Sequence, residues 1–301
     1  MFLSHALPRS VVRIAGKDRV KHLHSFCTAD IRAMQTGDIR EAMILDTKGK
    51  LKCLVHVLCR EESLELNGVP DQAAMLISHL DMYVIREDVR FEDCSGKLRH
   101  TFFFPATKSE FDPGWNKFSL FPSPEGEITA CHADFAGPGL LIQSLEDGVG
   151  LPADWNELAT ANPCSSDSDL QLHRITQGCP WFGVDCNESN LPQELQRDDR
   201  AISFTKGCYL GQETVARIDA LGRVNQLLVV VRSSASGAAP QIGSDLKSET
   251  LSVGKLTSVV EDAETGHWLG LALVKRKSAT PGMSLDSETG AVLVASPTEK
   301  P

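Results

Sequence analysis

The chain has 301 residues, length enough for two or three domains, and its 42% hydrophobic and 23% charged residues allow a packed core without disulfide or metal. Forty acidic residues against thirty basic ones leave a formal charge of −10, which argues against direct nucleic-acid binding or an anionic membrane as the main partner. No apolar run is long enough to span a bilayer, and Met1 to Arg9 lacks the charged and apolar regions of a signal peptide, so a cytoplasmic location is expected.

In chain order, residues 10–16 read as a strand, and Asp18 is placed to cap a helix running to about Phe26. Thr28 to Ile31 reads as a second helix start. Glu41 to Asp46 and Leu51 to Cys59 read as strands joined by the turn Thr47-Lys48-Gly49-Lys50, where glycine is free to take a positive φ. Ser63 to Asn67 adds a third strand. Apolar residues at 73, 74, 76, 77, 80, 83 and 84 recur with helical period, which predicts a helix from Asp71 to Val84 with Pro70 at its start. Strands are expected near 88–93 and 97–104. Pro105 to Gly126, rich in Pro, Gly, Ser and Phe, reads as a long loop or insertion. Gly139 to Leu145 reads as a strand, 152–161 and 167–177 as helices, and Gly178 as a C-terminal stop. Beyond Gly222, short β-branched or alternating runs at 226–232, 252–260, 267–275 and 291–295 predict a small barrel or sandwich. The domain boundary is expected at 222–225, giving domains 1–222 and 223–301.

Nine cysteines, at 27, 53, 59, 94, 131, 164, 179, 186 and 208, include no C-x-x-C pair. Zinc sites and most single-chain cluster sites use tighter spacing, so most of these are expected to be free, buried thiols.

The segment from Lys206 to Glu213, Lys-Gly-Cys-Tyr-Leu-Gly-Gln-Glu, carries the chemistry. Two glycines bracket Cys208-Tyr209, and residues from Gln212 onward suit a helix, in which Glu213 and Arg217 stand at i and i+4, placed to pair. Cys208 is thus expected in a tight loop before a helix N-terminus, where the dipole and Lys206 would favour a thiolate. Such a thiol could be a nucleophile, a redox group or one metal ligand. Alternatively, the glycines serve a turn and the cysteine packs beneath it. The helix start is also a candidate anion site, with water or an internal cap as the alternative.

This segment resembles the K-G-C-Y-x-G-Q-E signature of the YgfZ family, relatives of the folate-binding T-protein of the glycine cleavage system. Gly16-x-Asp18-Arg19, Leu23-His24-Ser25-Phe26-Cys27-Thr28-x-Asp30-Ile31, Asp46-x-Lys48-Gly49-Lys50, His79-Leu80-Asp81-x-Tyr83, Arg174-Ile175-x-x-Gly178-x-Pro180 and Leu191-Pro192-Gln193-Glu194 resemble further stations of that family. The resemblance covers nearly the whole chain apart from 105–137.

The resemblance implies an α+β, GcvT/YgfZ-like three-domain ring closed by a small C-terminal β-barrel. It implies a tetrahydrofolate-binding accessory protein supporting assembly or repair of iron–sulfur proteins, including tRNA-modifying radical enzymes. Cys208 would be the functional thiol, or one ligand of an iron–sulfur cluster shared with another chain or a small thiol. Gln193, Glu194 and Gln212 are candidates for the pterin ring and Arg174, Lys206 and Arg217 for the glutamate tail. Gly207, Tyr209 and Glu213 complete the candidate set. For these residues, ordinary capping and surface roles stay open. The T-proteins carry an aspartate where this chain has Lys50 to Val55, without an acid, and a pterin-reading glutamate that aligns with Thr176. Aminomethyl transfer is therefore disfavoured and a classical enzyme is not expected; a folate-dependent one-carbon transferase or demethylase is the alternative. The implied partners are iron–sulfur client or assembly proteins, and the oligomeric state is open, a monomer included.

Overall fold

The computed structural model describes residues 2–105, 117–123, 126–145 and 164–295. The helix expected at 152–161 lies outside them.

The chain enters through β1 (Phe2–Ala6), β2 (Ser10–Ala15) and α1 (Arg19–Phe26). It continues through β3 (Ile39–Leu45), β4 (Leu51–Cys59), β5 (Ser63–Gly68), α2 (Ala73–Asp81) and β6 (Arg90–Asp93). All of these strands except β1 form a five-stranded sheet in the order β3-β4-β5-β2-β6. Strand periodicity explains its two faces. Ala42 and Ile44 of β3 and Cys53, Val55 and Val57 of β4 pack with Leu23 of α1 and Leu76 and Leu80 of α2. The other face carries Met43, Leu45 and Leu54, which meet the later part of the chain.

β7 (Leu98–Pro105), β8 (Lys117–Ser123), β9 (Gly126–Asp134) and β10 (Pro138–Leu145) form the second sheet, in the order β1-β7-β10-β9-β8. Its core joins Phe102, Phe104, Cys131 and Leu141 to Ile39 and Leu58 of the first sheet. The chain then runs through α3 (Asp167–Thr176), a 3-10 turn at Pro192–Leu195, α4 (Asp198–Ala201) and α5 (Gln212–Leu221). Ser166 caps α3 through a reciprocal capping box with Asp169, and Gly178, at φ 63°, stops the chain just beyond it.

The last part is a closed barrel in the order β11-β14-β13-β12-β15-β16, from β11 (Gln226–Ser233), β12 (Asp245–Ser248), β13 (Leu251–Asp262), β14 (His267–Lys275), β15 (Ser284–Ser287) and β16 (Gly290–Val294). Of the two expected architectures, sandwich and barrel, the barrel is observed. It is fixed to the rest by a second core in which Leu228, Val260 and Leu271 pack against Ile175, Leu195 and Leu54. Arg174, buried at the end of α3, adds a polar tie by bonding Asp185 and Ser258 of β13.

Several expectations are corrected. Thr28 to Ile31 is not a helix start: the Thr28 hydroxyl donates to the Ala201 carbonyl at 2.5 Å and its own carbonyl accepts from the Ser203 N–H, so tertiary bonds hold it open. Asp18 sits at the α1 N-cap, but its carboxylate accepts from the Asp88 N–H instead. The helix predicted from Asp71 begins at Ala73, because Asp71 is left-handed at φ 65°. It ends at Asp81, three residues early. The expected loop at 105–126 contains β8, which pairs with β9 in a hairpin. β1, β9, β12 and β15 also have no counterpart among the expected strands.

Candidate functional site

The Lys206–Glu213 segment joins α4 to α5. Lys206 is buried, and its ammonium donates to the carbonyls of His24, Cys27 and Ala29 at 2.5, 2.7 and 2.8 Å. It also lies 4.9 Å from the centre of the Tyr209 ring, which is itself buried. Burial lowers the Lys206 pKa and pushes the Tyr209 hydroxyl up to about 12. The Leu210 N–H donates to the Ser25 carbonyl, and the Gln212 side-chain oxygen accepts from the Tyr209 N–H. Gly211, at φ 79°, precedes α5, and a Cβ there would lie 2.6 Å from the Asp46 carbonyl oxygen and 2.8 Å from the Gly49 Cα. Only glycine fits that approach. The surrounding residues are thus pinned, while Cys208 stands exposed.

The segments that carry the resemblance converge here. The 46–50 turn is closed by Asp46, whose carboxylate accepts from the N–H groups of Lys48 and Lys50, both at 2.8 Å. Thr214 of α5 donates to the Lys48 carbonyl. Lys206 binds the 24–29 segment, Leu51 donates to the Asn190 carbonyl, and Gln193 donates to the Val215 carbonyl at 2.8 Å. Stretches far apart in sequence therefore build one platform around the start of α5.

Lys206 is expected from the sequence to activate Cys208, but its charge is directed at three carbonyls instead. Glu213 and Arg217, expected to pair, are both exposed and make no ion pair with each other. Of the nine thiols, Cys164 and Cys208 are exposed and the other seven are buried. Burial raises those seven, Cys27 to about 11 and Cys53 to about 12, so they are poor nucleophiles. Among the described residues, no group of three or more His, Cys, Asp or Glu side chains is gathered to hold a metal.

A second feature is a pocket between the two sheets, lined by residues that include Arg9, Glu41, His56, Asp134, Trp181 and Arg197. Glu41 and His56 are direct cross-strand partners on β3 and β4. Arg197 is buried and bonds both Glu41 oxygens and, at 3.2 Å, Asp134; Arg200 also pairs with Asp134. Burial opposes the Arg197 charge, but Glu41 outweighs it and raises the pKa. His56 is held well below its usual range by burial first and then by Arg9, Arg197 and Arg200, so it is neutral. Both its ring nitrogens, one Asp134 oxygen and the Trp181 indole nitrogen are buried without a hydrogen-bond partner. The space open to the centre of a water molecule is about 10 Å³, room for roughly one water.

The sequence-derived candidates do not gather at this pocket. Arg174 bonds Asp185, Gln171, Ser258 and the Cys179 carbonyl. Glu194 accepts from Asn190, the Leu191 N–H and Gln226. Gln193, Lys206, Tyr209 and Gln212 belong to the α5 platform, with exposed Gly207 beside Cys208. The pocket residues went unselected because they come from separate segments. A signal did exist: Glu41 and His56 are polar residues between the buried apolar pairs Ile39-x-x-x-Met43 and Leu54-x-x-x-Leu58.

Two sheets and a terminal barrel in this arrangement define a GcvT-like fold. The crystal structure of the glycine cleavage system aminomethyltransferase T from Bartonella henselae superposes with a TM-score of 0.77 over 98% of this chain and 86% of that one, at 13% identity. No family model matches the chain. Among curated relatives, the tRNA-modifying protein YgfZ of Colwellia psychrerythraea is 26% identical over 232 residues, covering 74% of this chain and 68% of its own. An iron–sulfur cluster assembly factor IBA57 homologue, mitochondrial, of Cryptococcus neoformans is 24% identical over 252 residues, 76% of this chain and 66% of its own. A chloroplastic protein of Arabidopsis thaliana named as a transferase is 27% identical over 290 residues, 90% of this chain and 64% of its own. The chain thus spans about two thirds of the length of these relatives. The resemblance to the YgfZ proteins is borne out: the chain is a homologue of proteins bearing that name. Among the described residues, no helix is long and apolar enough to cross a membrane.

Proposed function

We propose that this protein is a tetrahydrofolate-binding accessory factor for the assembly or repair of iron–sulfur proteins, tRNA-modifying enzymes among them, with Cys208 as its working thiol and the cytoplasm as its location. The observation that carries the reading is the exposed Cys208 on a loop held on one side by buried Lys206 and on the other by buried Tyr209 and close-packed Gly211. Such a platform presents a thiol to a partner at low ordering cost. One cysteine cannot hold a cluster alone, so a cluster delivered here would be a cargo whose other ligands come from a partner or a small thiol.

The central pocket is the candidate folate site. Phe135, Trp181 and Phe182 supply aromatic walls, and His56, Asp134 and the Trp181 indole offer unpartnered polar atoms to a pterin edge. This donor set fits the ring chemically. The present space does not hold it, so side chains that line the pocket must rearrange as the ring enters. When bound, folate supplies one-carbon carriage.

The alternative, one-carbon transfer, draws support from the plant relative named as a transferase. Against it, both pocket carboxylates are held by arginines and offer no free base. Deleting the gene tests the main reading: iron–sulfur enzyme activities should fall and return with the wild-type chain. Calorimetric titration should give saturable tetrahydrofolate binding. Unchanged enzymes in the deletion strain would sink the accessory role, and a flat titration the folate part.

A further inference from the structure

Arg9 differs from the other charged groups of the central pocket. It is 6% exposed, yet among the described residues no carboxylate pairs with it. One terminal nitrogen donates to the Asn67 carbonyl at 3.2 Å, and its guanidinium lies 5.5 Å from the Phe135 ring centre. Its Nε is buried and unpartnered. The two carboxylates of the pocket, Glu41 and Asp134, are taken by Arg197 and Arg200. Arg200 is about half exposed and does not line the pocket, so the lining holds two arginines and two carboxylates, and Arg9 is the one of the two arginines that no carboxylate contacts.

Among the described residues, no acidic side chain acts on Arg9. Cys179 and Cys53 act on Arg9, but burial raises both thiols, Cys53 to about 12, so they are neutral near pH 7. The uncompensated burial lowers Arg9 itself to about 10. His56 is neutral, so one ring nitrogen carries a hydrogen, and that donor is also unpartnered. A water molecule could accept both hydrogen bonds but would leave Arg9 without a direct counter-ion.

We infer that the pocket between the two sheets is a binding site for a carboxylate group, held between the Arg9 Nε–H and the imidazole N–H of His56. The open space, about that of one water, is less than the three heavy atoms of formate need, so the lining side chains must move slightly apart to admit even the smallest carboxylate. Val69, Trp181 and Phe182, each partly exposed, mark the way in. The carboxylate is either a free one-carbon acid or the acidic end of a larger ligand. The inference rests on this chain's own buried, unpaired arginine and stands whether or not a pterin enters.

Thermal unfolding of the full chain in sodium formate, balanced by sodium chloride to constant ionic strength, tests it. The expected result is a saturable rise in Tm for the wild type. Affinity should fall roughly ten-fold or more in Arg9→Gln and in His56→Phe, with part retained in Arg9→Lys. Should Arg9→Gln not fold, His56→Phe and Arg9→Lys carry the comparison. Absence of a saturable rise in the wild type, or an equal rise in all variants, overturns the site. Titrating tetrahydrofolate and a tetrahydropterin without a tail separates the two sources. Weakening of tetrahydrofolate alone in Arg9→Gln assigns the carboxylate to the larger ligand, and formate binding with both pterins unaffected assigns a free acid. If neither pterin binds while formate does, the folate reading fails and the carboxylate site stands.

Discussion

Replacing Lys206 by methionine keeps the side chain's length and removes its ammonium, which serves the carbonyls of His24, Cys27 and Ala29. A hydrogen bond to a charged group is worth about 1.5–3 kcal/mol net, so three set a ceiling of roughly 5–9 kcal/mol. Leaving the ammonium in water saves several kcal/mol of desolvation, which lowers the expected loss to about 2–4 kcal/mol. In urea unfolding, at a slope of about 3 kcal/mol/M, the midpoint should fall by roughly 1 M. The damage should also be local. The Ser203 and Leu210 N–H groups, which bridge to Thr28 and Ser25, should exchange with solvent roughly ten-fold faster or more. A midpoint shift under about 0.2 M with unchanged exchange would mean that Lys206 does not hold the loop.

Other substitutions and conditions probe the platform and the pocket. Gly211→Ala should cost about 2 kcal/mol or more, because its Cβ meets backbone atoms of the 46–50 turn, whereas Gly207→Ala, with nothing within 4 Å, should stay within about 0.5 kcal/mol; urea midpoints decide. Arg197→Met leaves Glu41 and Asp134 as buried carboxylates without that partner and should cost about 3–5 kcal/mol, with much of the loss recovered when Glu41→Gln is added. Stability should fall on acidification. His100 and His173 are both lowered to about 4 by burial and His56 is also lowered, so below the unfolded pKa of about 6.5 the unfolded chain takes up protons the fold refuses. Thermal midpoints measured downward from pH 7 should drop most between those two pKa values and less in His100→Phe.

Much of the fold was legible because its strands carry strong local patterns. β4 and β13 read from β-branched and alternating runs, α3 from its stop glycine, and α5 from the Gly211-Gln212 start. Other elements depended on partners distant in sequence. Thr28 to Ile31 looks like a helix start until Ala201 and Ser203 claim its hydrogen bonds. β8 is hidden by the Pro- and Ser-rich composition of 105–126, and the pairing with β9 makes it a strand. The exposed thiol of the signature was legible, but the duty of Lys206 was not, since its acceptors lie about 180 residues away. The central pocket draws Arg9, Glu41, His56, Asp134 and Arg197 from separate segments, and only the register of β3 with β4 sets Glu41 opposite His56.

The account turns on Cys208, exposed on an otherwise pinned loop. Its most direct test is the activity of iron–sulfur enzymes in a strain lacking this gene, supplied with either the wild-type chain or Cys208→Ala. The substitution is at the surface and should change stability by no more than about 0.5 kcal/mol, verified on the purified protein by urea unfolding. The account predicts that the folded Cys208→Ala chain fails to restore those activities while the wild type does. Full restoration by Cys208→Ala would contradict it and remove the thiol from the function.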